Sequence, residues 1–287
     1  MKTNKMYLQT KLVLMVVGLC AALLSGCADL KGIRKFSDSA ADTASYTGLT
    51  SYYLGEFDHS KRYEEDAVRQ KQLDQESALR RKQEKALLGL HRGVQDYMKA
   101  LGALASDEVV NYDQSLKKLG DEIKDTKLIS DSKVEAYRGI AALIAKAATD
   151  GYRQRKLKLL IGEGNVPFQQ IAEALSKIVR SGYVLSLDNE KAVMDSYYQE
   201  VVKVAQPNDP GTEMVKETWR TKKEDLAARR QACLAYAETI EIIAQGHQEL
   251  FNNRDKLDTK ASLDTIISYA QEVDDLRTKI KELTKIK

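Results

Sequence analysis

The chain has 287 residues, 30% of them charged and 43% apolar, with a formal net charge of +3. That excess lies in Lys2, Lys5 and Lys11: taking these three from 45 basic residues leaves 42 against 42 acidic ones, so residues 27–287 are neutral. A neutral surface of mixed sign supplies no field for nucleic acid or anionic lipid, and no nucleic-acid partner is expected.

Residues 1–11 are basic, Leu12 to Leu24 are almost all apolar, and Leu24-Ser25-Gly26-Cys27 follows. A positive start, a short apolar run and small residues describe a secretory signal peptide over 1–26. The apolar run falls short of the roughly 20 residues that a bilayer-spanning helix needs. The tetrapeptide resembles the lipobox of bacterial lipoproteins at every position. The resemblance covers about the first 27 residues. It implies cleavage between Gly26 and Cys27, diacylglycerol on the Cys27 sulfur and, in Gram-negative cells, an acyl chain on the new amine. Two chains hold a protein on a bilayer, at about 0.8 kcal/mol per buried methylene. Ala28 precedes Asp29, so the inner-membrane retention signal of such lipoproteins is displaced by one place. The resemblance therefore implies the periplasmic face of the outer membrane. Cys20 leaves with the signal and Cys27 takes lipid, which leaves Cys233 as a lone thiol, expected to be buried.

After that leader, Ala, Leu, Lys, Glu, Gln and Arg dominate, all good helix formers, and only Pro167, Pro207 and Pro210 interrupt them. Period-two runs bounded by turn dipeptides are few. The expected fold is all-α: an elongated bundle of five to seven long helices, antiparallel and up-and-down. Residues 27–57 read as the lipidated cysteine with a tether or short helix, in which Ile33, Phe36, Ala40, Ala44 and Thr47 keep helical spacing; residues 58–287 read as the bundle. Residues 60–104 read as one long helix or as two broken near Gly89 or Gly93. Ser106-Asp107 reads as the cap of a helix carrying Val110, Leu116, Leu119 and Ile123. Ser132-Lys133-Val134-Glu135 matches a capping box. The helix after it is expected to stop at Gly162-Glu163-Gly164-Asn165, with a new one starting at Asn165-Val166-Pro167. Its apolar pattern slips near Gly182–Asp188 and resumes at Val193, Met194, Tyr197, Val201 and Val204. Gln206 to Gly211 reads as a loop, and both 162–167 and 206–211 are candidate subdivisions. Cys233, Tyr236, Ile240, Ile243, His247 and Leu250 alternate steps of three and four, as do Ile266, Tyr269, Val273, Leu276, Ile280 and Leu283. The two runs predict a C-terminal hairpin with a coiled-coil-like seam.

Chemistry-bearing motifs are sparse. His59, His91 and His247 have no zinc-like spacing, and one Glu56-Phe57-Asp58-His59 is half of what a di-iron bundle needs. His247 lies on the apolar seam and reads as a core histidine. No catalytic residue, metal or cofactor is expected. Tyrosine stands out: 14 residues against four Phe and one Trp. Tyr52, Tyr53, Tyr197, Tyr198 and Trp219 are the candidate contact residues, because amphipathic aromatics serve both cores and binding surfaces. The expected function is a non-catalytic envelope lipoprotein, a helical protein-binding, spacer or scaffold module of adaptor or immunity type. It is compatible with homo-oligomers, and a protein partner in the envelope is expected. The alternative is a periplasmic small-ligand binding or sensing protein with a tyrosine-lined pocket between helices. An enzyme with an unrecognised site ranks last.

Overall fold

A computed structural model describes residues 30–106, 108–149, 153–206 and 209–285. Residues 1–29, on which the expected signal segment 1–26, the expected Gly26–Cys27 cleavage and the expected lipidation of Cys27 fall, lie outside the described residues. Within them the chain is all helix and turn, with no strand. Ten α-helices follow in order: α1 (Lys31–Ala44), α2 (Gly48–Ser60), α3 (Ala67–Arg81), α4 (Glu84–Ala105), α5 (Ser115–Thr126), α6 (Asp131–Thr149), α7 (Arg153–Lys177), α8 (Val184–Val204), α9 (Pro210–Asn252) and α10 (Lys260–Thr284). A 3-10 turn, Lys61–Tyr63, follows α2, and a π-helical turn, Ile178–Tyr183, joins α7 to α8.

The longest element, α9, has 43 residues, about 64 Å at 1.5 Å per residue. Its entry is built locally: Asp209 caps it by accepting from the Thr212 amide at 3.1 Å, and Pro210 occupies the first turn, where no amide is needed. The C-terminal half buries Cys233, Tyr236, Ile240, Ile243, His247 and Leu250, the whole of the expected seam. Residues 253–259 reverse the chain, Thr259 caps α10, and α10 returns along α9 with Ile266, Val273 and Ile280 buried. The C-terminal hairpin is therefore present.

Helix α1 buries Ile33, Phe36, Ala40 and Ala44 between α4 and α10, so the first and last described helices are neighbours. The cyclic closure comes from side-chain size: Gly246 on α9 lets the Phe36 ring reach the helix, since an added Cβ there would sit 2.5 Å from Phe36 Cζ.

Several local expectations are corrected. From Ala67 the 60–104 stretch is two helices, after the end of α2 and the 3-10 turn, and the break between them falls at Lys82-Gln83, not at Gly89 or Gly93. Arg80, tied to α2 and α8, holds the end of α3, while α4 turns away to pack on α1. Ser106 ends α4 and caps nothing that follows; the next helix begins at Ser115, and Val110 is buried in the connection. The Ser132–Glu135 box does not form. Helix α6 begins at Asp131, ahead of Ser132 itself, the Ser130 carbonyl accepts from the Lys133 and Val134 amides, and Glu135 pairs with Arg138 instead. The expected stop at 162–165 is absent: α7 runs through Gly162, Gly164 and Pro167. Gly164 serves close packing there, because a Cβ would lie 2.3 Å from the Tyr97 hydroxyl, which donates to the Leu160 carbonyl.

The slip expected near Gly182 is the π turn, and it resets the phase of α8. The buried line becomes Leu187, Glu190, Met194 and Tyr198, while Val204 is 82% exposed. A wider turn rotates everything after it about the helix axis. Here it carries a carboxylate, Glu190, onto a buried face.

Candidate functional site

Two polar columns cross the core. Tyr183 donates to Thr50 at 2.9 Å, Thr50 Oγ1 lies 2.8 Å from His91 Nε2, and His91 Nδ1 lies 2.7 Å from the Tyr236 hydroxyl. In the second, His247 Nε2 meets the Tyr97 hydroxyl at 2.7 Å and Nδ1 meets Asn165 Oδ1 at 3.0 Å. Burial holds both imidazoles neutral, His91 down to about 4 and His247 down to about 3. With every ring nitrogen engaged, these are structural pillars. Cys233 is buried, and burial pushes its thiol up to about 12, so it stays protonated.

The cleft between α2, the Lys61–Tyr63 turn, α8 and α9 is different. It is lined by Tyr52, His59, Arg62, Tyr63, Glu190 and Lys222, with Met194, Asp225 and Leu226 completing the wall, and has a volume of about 180 Å³. The local sequences put these groups there. Tyr52 and His59 are seven apart on α2, two turns on one face; Lys222, Asp225, Leu226 and Arg229 recur at three and four on α9. Glu190 is only 4% exposed. Its Oε1 accepts from the Tyr52 hydroxyl at 2.9 Å. Its Oε2 is buried without a hydrogen-bond partner, and so is His59 Nδ1. The two atoms stand 3.8 Å apart, within ion-pair range but past hydrogen-bond reach. Burial, then the Glu190 carboxylate beside it, pushes the Tyr52 phenol well above its usual range, so this hydroxyl acts as a donor. Arg229 stacks 4.3 Å above the Tyr52 ring and is held by Asp225 at 2.8 Å. Burial works against its charge, but the Asp225 carboxylate outweighs that and raises its pKa.

An aromatic row borders the cleft. Tyr63 contacts Tyr197 and Tyr198 at ring separations of 5.7 and 6.0 Å, and Tyr198 stacks on Trp219 at 6.0 Å. Trp219 Nε1 donates to Asp195 at 2.7 Å, and Lys223 caps the indole face at 4.1 Å. Asp195 is held below the usual carboxylate range: burial opposes this, but the Lys191 and Trp219 hydrogen bonds win. Tyr197, Tyr63 and Trp219 are half-buried and Tyr198 is buried.

Four of the five residues singled out from sequence therefore meet here: Tyr52 in the cleft, and Tyr197, Tyr198 and Trp219 in the row. Tyr53 does not join them. It stacks on Tyr183 at 4.3 Å with the Arg80 guanidinium 4.2 Å from its ring. Glu190, Tyr63, Arg62 and Lys222 were missed. Glu190 had a signal, because the spacing Leu187, Glu190, Met194, Tyr198 puts a carboxylate on an apolar line. The Glu56–His59 pair is also resolved: Glu56 turns to Arg80 at 2.7 Å and to Ser60 at 2.9 Å, whereas His59 turns to Glu190. Among the described residues, no group of three or more His, Cys, Asp or Glu is placed to hold a metal ion.

Two larger hollows are less pointed. One of about 440 Å³ is lined by Arg34, Asp38, Arg92, Asp96, Glu108 and Asp113, whose charges neutralise each other: Arg92 pairs with Asp96 and Asp113, Arg34 with Asp38 and Glu108. The other, about 640 Å³, is a mostly apolar trough on α5 and α6. Neither presents a buried polar atom in want of a partner of the Glu190 kind.

The fold and site define an all-α bundle with a polar, aromatic-walled cleft. Comparison with known protein families, with curated proteins and with solved structures yields no match for the chain. No helix among the described residues is long and apolar enough to cross a membrane.

Proposed function

We propose that this protein is a lipid-anchored, non-catalytic binding protein of the cell envelope, held by Cys27 on the periplasmic face of the outer membrane, and that it binds through the Glu190 cleft and its aromatic border. The observation that carries the binding site is the Glu190 carboxylate: 96% buried, with one oxygen left without a donor in a cleft open to solvent. A buried, unpaired acceptor costs free energy, and a fold keeps one most readily where a ligand completes it. This favours the small-ligand reading over a bare spacer.

Thermal unfolding in the presence of small metabolites grouped as cations, anions and zwitterions tests it. One group is expected to raise Tm for the wild type and not for Glu190→Gln; no response from any group removes the cleft as a binding site. The half-buried Tyr63, Tyr197 and Trp219 beside the cleft support a protein partner as the second reading, because amphipathic aromatics suit interfaces. A photo-crosslinking residue at 197 or 219 is then expected to capture an envelope protein in cells, and one at Leu79, exposed on α3, is not. Equal capture at all three sites counts against that reading.

A further inference from the structure

We infer that the cleft takes a small zwitterion, an α-amino acid or a close analogue, with its ammonium group against Glu190 and its carboxylate at the rim. The inference rests on the cleft being a binding site, and adds the chemical class of its occupant. The floor asks for a donor. Glu190 Oε1 already accepts from Tyr52, while Oε2 and His59 Nδ1, 3.8 Å apart, have no hydrogen-bond partner; in the tautomer with the His59 proton on Nε2 both atoms are acceptors. A group with several N–H bonds bridges such a gap, and an ammonium does so with a charge opposite to that of the carboxylate.

The rim asks for an acceptor. Arg62 and Lys222 line the cleft, and among the described residues neither forms an ion pair; Lys222 lies 5.8 Å from the centre of the Tyr63 ring. By contrast Asp225 and Arg229, deeper on α9, neutralise each other. A simple cation would gain Glu190 but meet Arg62 and Lys222. A simple anion would gain the rim but meet Glu190. Opposite charges on one small molecule satisfy both ends at once. The walls agree: Tyr52, Tyr63 and Met194 offer ring faces and a thioether to a short carbon skeleton. The volume of about 180 Å³ exceeds the roughly 30 Å³ share of one liquid water, so a single bridging water does not fill it.

Calorimetric titration of residues 27–287 with glycine, L-alanine and L-serine, against glycine methyl ester, ethylamine and acetate, tests the assignment. The amino acids are expected to bind at least tenfold more tightly than the ester, the amine or acetate. Glu190→Gln, which keeps an acceptor for Tyr52, is expected to weaken binding at least tenfold with an unchanged circular dichroism spectrum; the Arg62→Ala, Lys222→Ala double variant is expected to weaken it at least fivefold. Met194→Trp, which fills the cleft, is expected to abolish binding in a folded protein. If ethylamine or acetate binds as well as the amino acids, the zwitterion assignment fails and the cleft remains a binding site. If none of the six probes binds, the assignment fails as well. If binding persists in Met194→Trp, the ligand sits elsewhere and both readings fall.

Discussion

His91 and His247 show how single residues set the pH response of this fold. Each is neutral in the native core, with its pKa pushed by burial from the ordinary 6.5 down to about 4 and about 3. The unfolded chain takes up protons on both near pH 6.5, while the native state resists until those lower values. A depressed histidine pKa therefore means that stability is full above about pH 6.5 and falls as pH drops toward 4 and 3. The slope approaches about 1.4 kcal/mol per pH unit for each histidine. Denaturant unfolding between pH 6.5 and 5, above the carboxylate range, is expected to show this loss, and His247→Gln to show about half of the slope; a flat profile contradicts it. Arg80 sets a different dependence. It donates to Glu56 at 2.7 Å, to Ser186 at 3.0 Å and to the Tyr53 carbonyl at 3.2 Å, with its guanidinium 4.2 Å and 3.9 Å from the centres of the Tyr53 and Phe57 rings. Arg80→Ala leaves Glu56, 3% exposed, without its counter-charge. A loss of about 3 kcal/mol in chemical denaturation is expected. Gly164→Ala drives a methyl into the Tyr97 hydroxyl and is expected to cost about 1–3 kcal/mol.

At the scale of elements, sequence was legible where a helix end is built from its own residues. Asp209-Pro210 could be read as an entry because the cap, the amide it accepts from and the proline all lie within one turn. Asp209→Ala is expected to lower stability by about 1 kcal/mol. Ser132→Ala is expected to change almost nothing, since the Ser132 hydroxyl bonds Ser130 and not the amide of Glu135. A comparison of the two variants by thermal melts decides between the local capping rule and the structure. Glycine misled for a definite reason. Gly164, and likewise Gly93 with a Cβ position 2.7 Å from Tyr137, resemble helix stops on paper but are sites where an aromatic ring from another helix comes close. Nothing within their own turn records that. The π turn is intermediate: the slip in apolar pattern announced it near Gly182, yet the direction of the slip, and with it the burial of Glu190, followed from packing on α2 and α9. Deleting Ser181 restores regular helix and turns α8 by about 100°. Such a variant is expected to remain helical and to lose ligand binding.

For the whole molecule, α1 between α4 and α10 makes the two ends of the bundle one packed unit. Val273 on α10 is completely buried, and Val273→Asp is expected to unfold the bundle cooperatively rather than detach one helix. The proposed anchor belongs to this scale as well. Cys27→Ser is expected to move the protein from the membrane to the soluble periplasmic fraction with its helical spectrum intact, and to abolish incorporation of a palmitate analogue. Membrane retention of that variant would show that something other than lipid holds it.

Composition and the three-and-four spacing of apolar residues were sufficient for the all-α class and for the C-terminal hairpin, because helix propensity and a seven-residue seam are properties of neighbours along the chain. The aromatic count singled out Tyr52, Tyr197, Tyr198 and Trp219, which meet at the cleft, and Tyr53, which does not, without saying which would converge. What only the tertiary structure decided is where distant helices touch: the glycine contacts, the Lys82-Gln83 break, and the convergence of Tyr52, His59, Glu190 and Lys222 from three helices. Glu190 is the clearest case. A carboxylate on a charged helix reads as solvent-facing until the π turn rotates it inward, and its energy then depends on residues 138 positions away, at Tyr52.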